Sequence, residues 1–164
     1  MSLFRKYLKA VCVLVVLGAV PTLAGACPNP DAAANSMLSE TGVGLRWGSS
    51  VRVLAGGEAT LESCPQVEIA HETSAHFSTQ PALELSLAGM IGLGIELKPV
   101  RGCAREFLIL SSDGNWYHRG PGLNGMVPPV VLSAVRDGPV RLWIGTAPGD
   151  QCRMRIQVST VAAR

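Results

Sequence analysis

The chain has no run of basic residues, no C-x-x-C pair and few aromatic rings, 5% of its 164 residues. Each absence removes a class. Without clustered Lys and Arg, the electrostatic footprint of a nucleic-acid binder is missing. Without C-x-x-C, neither a zinc ribbon nor a thioredoxin-like redox site is expected. A G-x-S-x-G nucleophile elbow is also lacking, so no hydrolase signature names a reaction. His71 and His76 stand i, i+5, whereas the zinc motif needs i, i+4 on a helix so that both imidazoles face one metal. Ser74 or Ser78 with His76 forms no recognisable nucleophile and base. No enzyme, no metal site and no cofactor are expected from these residues.

Long hydrophobic runs are missing too. The longest, within VCVLVVLGAV, is about a dozen residues and falls short of the roughly 20 that a membrane-spanning helix needs. It follows Arg5, Lys6 and Lys9 and precedes Ala24-Gly25-Ala26, the pattern of a secretory signal over residues 1–26 with the mature chain starting at Cys27. A cysteine there also suits a lipid anchor, but the lipoprotein motif wants Leu at −3, where Ala24 stands. Soluble export to the periplasm or beyond fits better. Three of the 14 Lys and Arg leave with the leader and none of the 12 Asp and Glu, so 11 bases remain against 12 acids, a net charge of −1. The basic balance of the whole chain belongs to the leader.

Cys27, Cys64, Cys103 and Cys152 remain, an even set in an oxidising compartment. Loop-closure entropy separates the three possible pairings by only about 1 kcal/mol. Order along the chain favours Cys27 with Cys64 and Cys103 with Cys152.

Residues 27–49 read as a polar lead-in tied by Cys27, and residues 50–164 as one all-β domain. Val51 and Val53 alternate with Arg52, and Gly56-Gly57 predicts a turn into Ala59 and Leu61. Leu83, Leu85 and Leu87 form one alternating series; Ile91, Leu93, Ile95 and Leu97 form another. Phe107 to Leu110 is a continuous apolar run, expected to be buried on both faces. Asp113-Gly114 predicts a tight primed turn. Val130 to Val135 is expected to pair with Val140 to Gly145 across Asp137-Gly138. Cys152, Met154, Ile156 and Val158 alternate against Arg153, Arg155 and Gln157. Recurrent Gly and Pro between such strands signal an antiparallel sandwich or barrel.

The segments LELSLAGMIGLGIELKPV, CAREFLILSSDGNWYHRG and VVLSAVRDGPVRLWIGTAPGDQCRMRIQV resemble the bacterial pre-peptidase C-terminal domain, a secreted jelly-roll-like β-sandwich often appended to extracellular proteases. The likeness covers about residues 82–160. It implies a non-catalytic module that is an accessory or inhibitor partner of a secreted protease. With no protease domain in the sequence, the module is expected to act alone, in trans or as a structural envelope part. Many such domains carry acids after the Trp strand. Here Tyr117, His118 and Arg119 follow Trp116, so calcium is not expected, because hard cations need several oxygen ligands.

Trp116, Tyr117, His118 and Arg119 are the candidate ligand-binding residues. Adjacent rings in a strand face opposite sides, so one of Trp116 and Tyr117 is expected in the core and the other exposed. An exposed ring beside His and Arg suits an extracellular or envelope polysaccharide or protein. Arg141, Arg153 and Arg155 are expected on one solvent face, guarding a sheet edge or pairing with Glu on a neighbouring strand.

Overall fold

The computed structural model describes residues 27–67, 69 and 73–163. The leader, its cleavage site, His71 and Glu72 lie outside them. Among the described residues there is no α-helix and no helix long and apolar enough to cross a membrane.

Nine strands carry the fold: β1 (Met37–Thr41), β2 (Ser49–Ala55), β3 (Leu83–Ala88), β4 (Leu93–Arg101), β5 (Glu106–Leu110), β6 (Trp116–Arg119), β7 (Val130–Leu132), β8 (Gly138–Gly145) and β9 (Cys152–Ala162). One sheet has the order β1-β3-β8-β5-β6 and the other β2-β9-β4-β7. Pairing is antiparallel except where β1 joins β3 in parallel. Without β1, the eight strands pair as β2 with β9, β3 with β8, β4 with β7 and β5 with β6. That nesting is a jelly roll.

The inner faces of the two sheets share one core, in which Leu83, Leu85, Phe107, Ile109 and Leu142 meet Ile95, Leu97, Met154, Ile156 and Val158. A second core lies on the outer face of the first sheet. There Leu61, Cys64, Val67, Ala75 and Phe77 cover Leu108 and Trp143. This cover explains why β5 is buried on both faces, as its continuous apolar run predicts. Alternation in β9 likewise holds from Arg153 to Val158. Both disulfides follow chain order: Cys27 bonds Cys64 and Cys103 bonds Cys152. The first ties the N-terminal segment to the covering loop. The second joins the start of β9 to the β4–β5 connection.

Two expected local pairings are replaced by others, and the β5–β6 hairpin forms with a turn of another type. Gly56-Gly57 makes no hairpin: β2 pairs with β9, and Ala59 bridges Phe77. Gly57 serves close approach instead, since a Cβ there would lie 2.3 Å from the Phe77 carbonyl oxygen. Asp137-Gly138 also turns no hairpin, because β7 pairs with β4 while β8 pairs with β3 and β5. The Asp137 carboxylate instead accepts the Gly89 and Met90 N–H groups at 3.0 and 2.8 Å. Finally, the Asp113-Gly114 loop is not a primed turn, since both primed types need positive φ at the first central residue, here Asp113. Only Gly114, at φ 84°, has it.

Within the lead-in, Met37–Thr41 forms the edge strand β1, and Leu45 in the following 3-10 turn is fully buried. Ile91 stands 97% exposed in the turn before β4, outside the alternating series. Arg141 leaves the other two arginines. It lies on β8 and donates to Glu84 Oε2 at 2.8 Å, whereas Arg153 and Arg155 lie on β9 in the opposite sheet.

Candidate functional site

The β5–β6 hairpin closes over Ser112, Asp113 and Gly114. Ser111 N–H donates to the Asn115 carbonyl at 3.0 Å, and Gly114 N–H to the Ser111 carbonyl at 2.9 Å. The Asp113 carboxylate accepts both the backbone N–H of Asn115, at 3.1 Å, and its side-chain amide, at 2.8 Å. Slight burial works to raise the Asp113 carboxyl, but these bonds outweigh it and hold it below the usual range. The turn is therefore clasped by its own side chains.

Strand β6 then sends its four candidate residues to two faces. Trp116 and His118, opposite Leu110 and Leu108, face the second core. Tyr117 and Arg119, opposite Ile109 and Phe107, lie on the rim of the main core at the open edge of the sandwich. Trp116 is half-buried, its ring centroid 5.3 Å from that of Trp143 at a 43° tilt. Tyr117 is the exposed ring, at 39%. The structure thus joins Trp116 with His118, and Tyr117 with Arg119, rather than gathering all four.

His118 Nε2 sits 2.8 Å from Glu106 Oε2. The Thr73 hydroxyl donates to the same oxygen while accepting the Ala75 N–H at 3.0 Å. Burial works to raise the Glu106 carboxyl, but the hydrogen bonds from His118 and Thr73 outweigh it and keep the group below its ordinary value. A nucleophile, base and orienting acid need the imidazole in the middle. Here the carboxylate is in the middle, and hydroxyl and imidazole are both spent on it. The constellation clamps the covering segment and edge strand β6 to the start of β5.

Beside Trp116 lies a groove of about 410 Å³, lined by Pro65, Gln66, Gly114, Asn115 and Trp116. Two amide side chains and a half-buried indole meet there. Such a set offers hydroxyl-recognising donors and acceptors next to an apolar ring. Sequence reasoning marked Trp116 but not its companions: Gln66 sits in a loop with no periodicity, and Asn115 reads as turn chemistry. Glu106 was missed as well, and its signal is an acid heading a run buried on both faces, a placement that demands partners.

His76 is extended, bridging Thr146, and its Nδ1 is buried without a hydrogen-bond partner. No group of three or more metal-ligating side chains occurs among the described residues.

Strand order and register define the chain as a jelly-roll β-sandwich with one added edge strand. No protein-family model matches it, and no curated protein is found to be similar.

Proposed function

We propose that the protein is an exported, non-catalytic jelly-roll module that binds an extracellular or envelope ligand, a glycan, in the groove beside Trp116. The observation that carries this reading is the groove itself: a half-buried indole held by Trp143 and flanked by the amides of Gln66 and Asn115. Its volume falls in the range of small-ligand sites, roughly 300–1,000 Å³. Fixed rings lose little entropy on stacking against a sugar face, and neighbouring amides read hydroxyls in either donor sense. The order Thr73–Glu106–His118 supports a binding rather than a catalytic part.

Export rests on the leader pattern over residues 1–26 and agrees with the two disulfides, which persist in oxidising compartments. The likeness to secreted pre-peptidase C-terminal domains agrees with the same placement.

The test is capture on cell-wall fractions and soluble glycans, with the secreted proteome offered in parallel. Wild type should retain a glycan, and Gln66→Ala should weaken it at least several-fold. Capture of a secreted protease instead would favour the accessory or inhibitor role. No capture by wild type would leave a structural envelope part.

A further inference from the structure

Arginines scattered in the sequence meet on the outer face of the β2-β9-β4-β7 sheet. Arg52 on β2 stands directly opposite Arg155 on β9, and Arg155 is in turn the partner of Arg101 at the end of β4. With neighbouring strands about 4.8 Å apart, the three positions make a row about 10 Å long. Arg153 precedes Arg155 on the same face, and Lys98 lies one row further along, opposite Gln157. All five side chains are exposed. The one acid on these four strands is Glu96, opposite Ser159, and among the described residues none of the five cations is paired with a carboxylate.

Folding does not explain this placement. Like charges directly opposite across strands destabilise a sheet. Edge protection accounts for Arg52 on the edge strand β2 but not for Arg155 on β9, which is hydrogen-bonded on both sides. The residue type is informative as well: four of the five are Arg, whose planar fork takes carboxylate, sulfate or phosphate through two hydrogen bonds. A depression of about 680 Å³ is lined by Arg52, Arg101, Arg153 and Arg155 together with Val100 and Met154.

We propose that this face binds an extended anionic polysaccharide, with Arg52, Arg155 and Arg101 taking its acidic groups in succession. A trough accommodates a single chain better than a plane of lipid headgroups. The four strands carry no aromatic ring on which nucleic-acid bases could stack. An acidic peptide adding as a strand would have to pair along the free edge of β2 or of β4 beyond Leu97 and so flank the row, because β9 between them has neighbours on both sides. The site is on the other sheet from the Trp116 groove and does not rest on it.

The experiment titrates the protein, both disulfides formed, with heparin and with alginate at low and high salt. Phosphatidylglycerol vesicles and a single-stranded oligonucleotide serve as rival polyanions. Both polysaccharides should bind at low salt and weaken as exposed charges are screened. Arg155→Glu should lose at least tenfold in affinity and Arg155→Gln a smaller factor, while Arg136→Glu, the same charge change elsewhere, should stay within twofold. Arg155→Glu puts a carboxylate between two arginines, so its melting temperature should hold or rise, which separates lost binding from unfolding. No binding to either polysaccharide, equal loss in Arg136→Glu, or tighter binding of vesicles or oligonucleotide would overturn the proposal.

Discussion

His118 and Glu106 meet at 2.8 Å with side chains only 8% and 9% exposed, and Thr73 closes the contact from the covering loop. Because these bonds hold the Glu106 carboxyl below its ordinary value of 4.5, they add stability that is complete above that value and is lost as the pH falls through the folded one. At neutral pH, Glu106→Gln should cost about 1–3 kcal/mol, the scale of a buried hydrogen-bonding group left short of a partner. Urea unfolding at a series of pH values is the check. The gap between wild type and variant should narrow as the pH falls below 4.5; parallel curves would show that the contact adds nothing through ionisation.

The disulfides should fail in different ways, although their sequence separations of 37 and 49 residues are similar. In the chain-entropy model each is worth about 4 kcal/mol. Cys103 and Cys152 pack on the main core, so their double Ser variant should lower the stability of the whole sandwich. Cys27 and Cys64 belong to the second core. Their double Ser variant should first loosen the cover over Trp143, giving a red-shifted tryptophan emission and local hydrogen exchange near Leu61 before global unfolding. Matching exchange patterns in the two variants would contradict this division.

Much of the fold was legible because it depends on alternation. The run Phe107 to Leu110 announced a strand covered on both faces, and Met154, Ile156 and Val158 announced which side of β9 is inward. Strand partners were legible only at the β5–β6 hairpin, because a jelly roll otherwise pairs strands distant in sequence. Gly56-Gly57 and Asp137-Gly138 have turn chemistry, yet one relieves a close approach to Phe77 and the other supplies a carboxylate that ties down Gly89 and Met90. The same non-locality hid the basic face, since Arg52, Arg101 and Arg155 become neighbours only through register. At the hairpin, the opposite facing of Trp116 and Tyr117 followed from period two, while Thr73 and Gln66 entered from an aperiodic loop.

Three glycines should rank in an order set by space and φ. At Gly57 a Cβ would meet the Phe77 carbonyl at 2.3 Å and backbone carbon at 2.6 Å, so Gly57→Ala forces the chain apart and should cost about 1–3 kcal/mol or more. At Gly89 there is open space but φ is 65°, and Gly89→Ala should cost about 1–2 kcal/mol. Gly120 has neither constraint, and Gly120→Ala should be neutral or stabilising by up to about 1 kcal/mol. Denaturation midpoints measure all three, and a neutral Gly57→Ala would mean that the crossing is looser than described.

Trp116 and Tyr117 should separate stability from recognition. The Trp116 ring packs 5.3 Å from Trp143, so Trp116→Ala removes part of the second core. Its cost should be about 2 kcal/mol, below the roughly 3–5 kcal/mol of a fully buried Trp→Ala. Tyr117 is 39% exposed on the other face, and Tyr117→Ala should stay within about 0.5 kcal/mol. If the groove takes a glycan, loss of affinity in Trp116→Ala mixes a missing ring with a loosened cover. Gln66→Ala does not, since Gln66 is exposed beside the ring. The decisive pattern is therefore weakened glycan binding in Gln66→Ala at unchanged melting temperature, with Tyr117→Ala unchanged in both. Weakened binding in Tyr117→Ala alone would move the ligand to the open edge, where Arg119 shares its face.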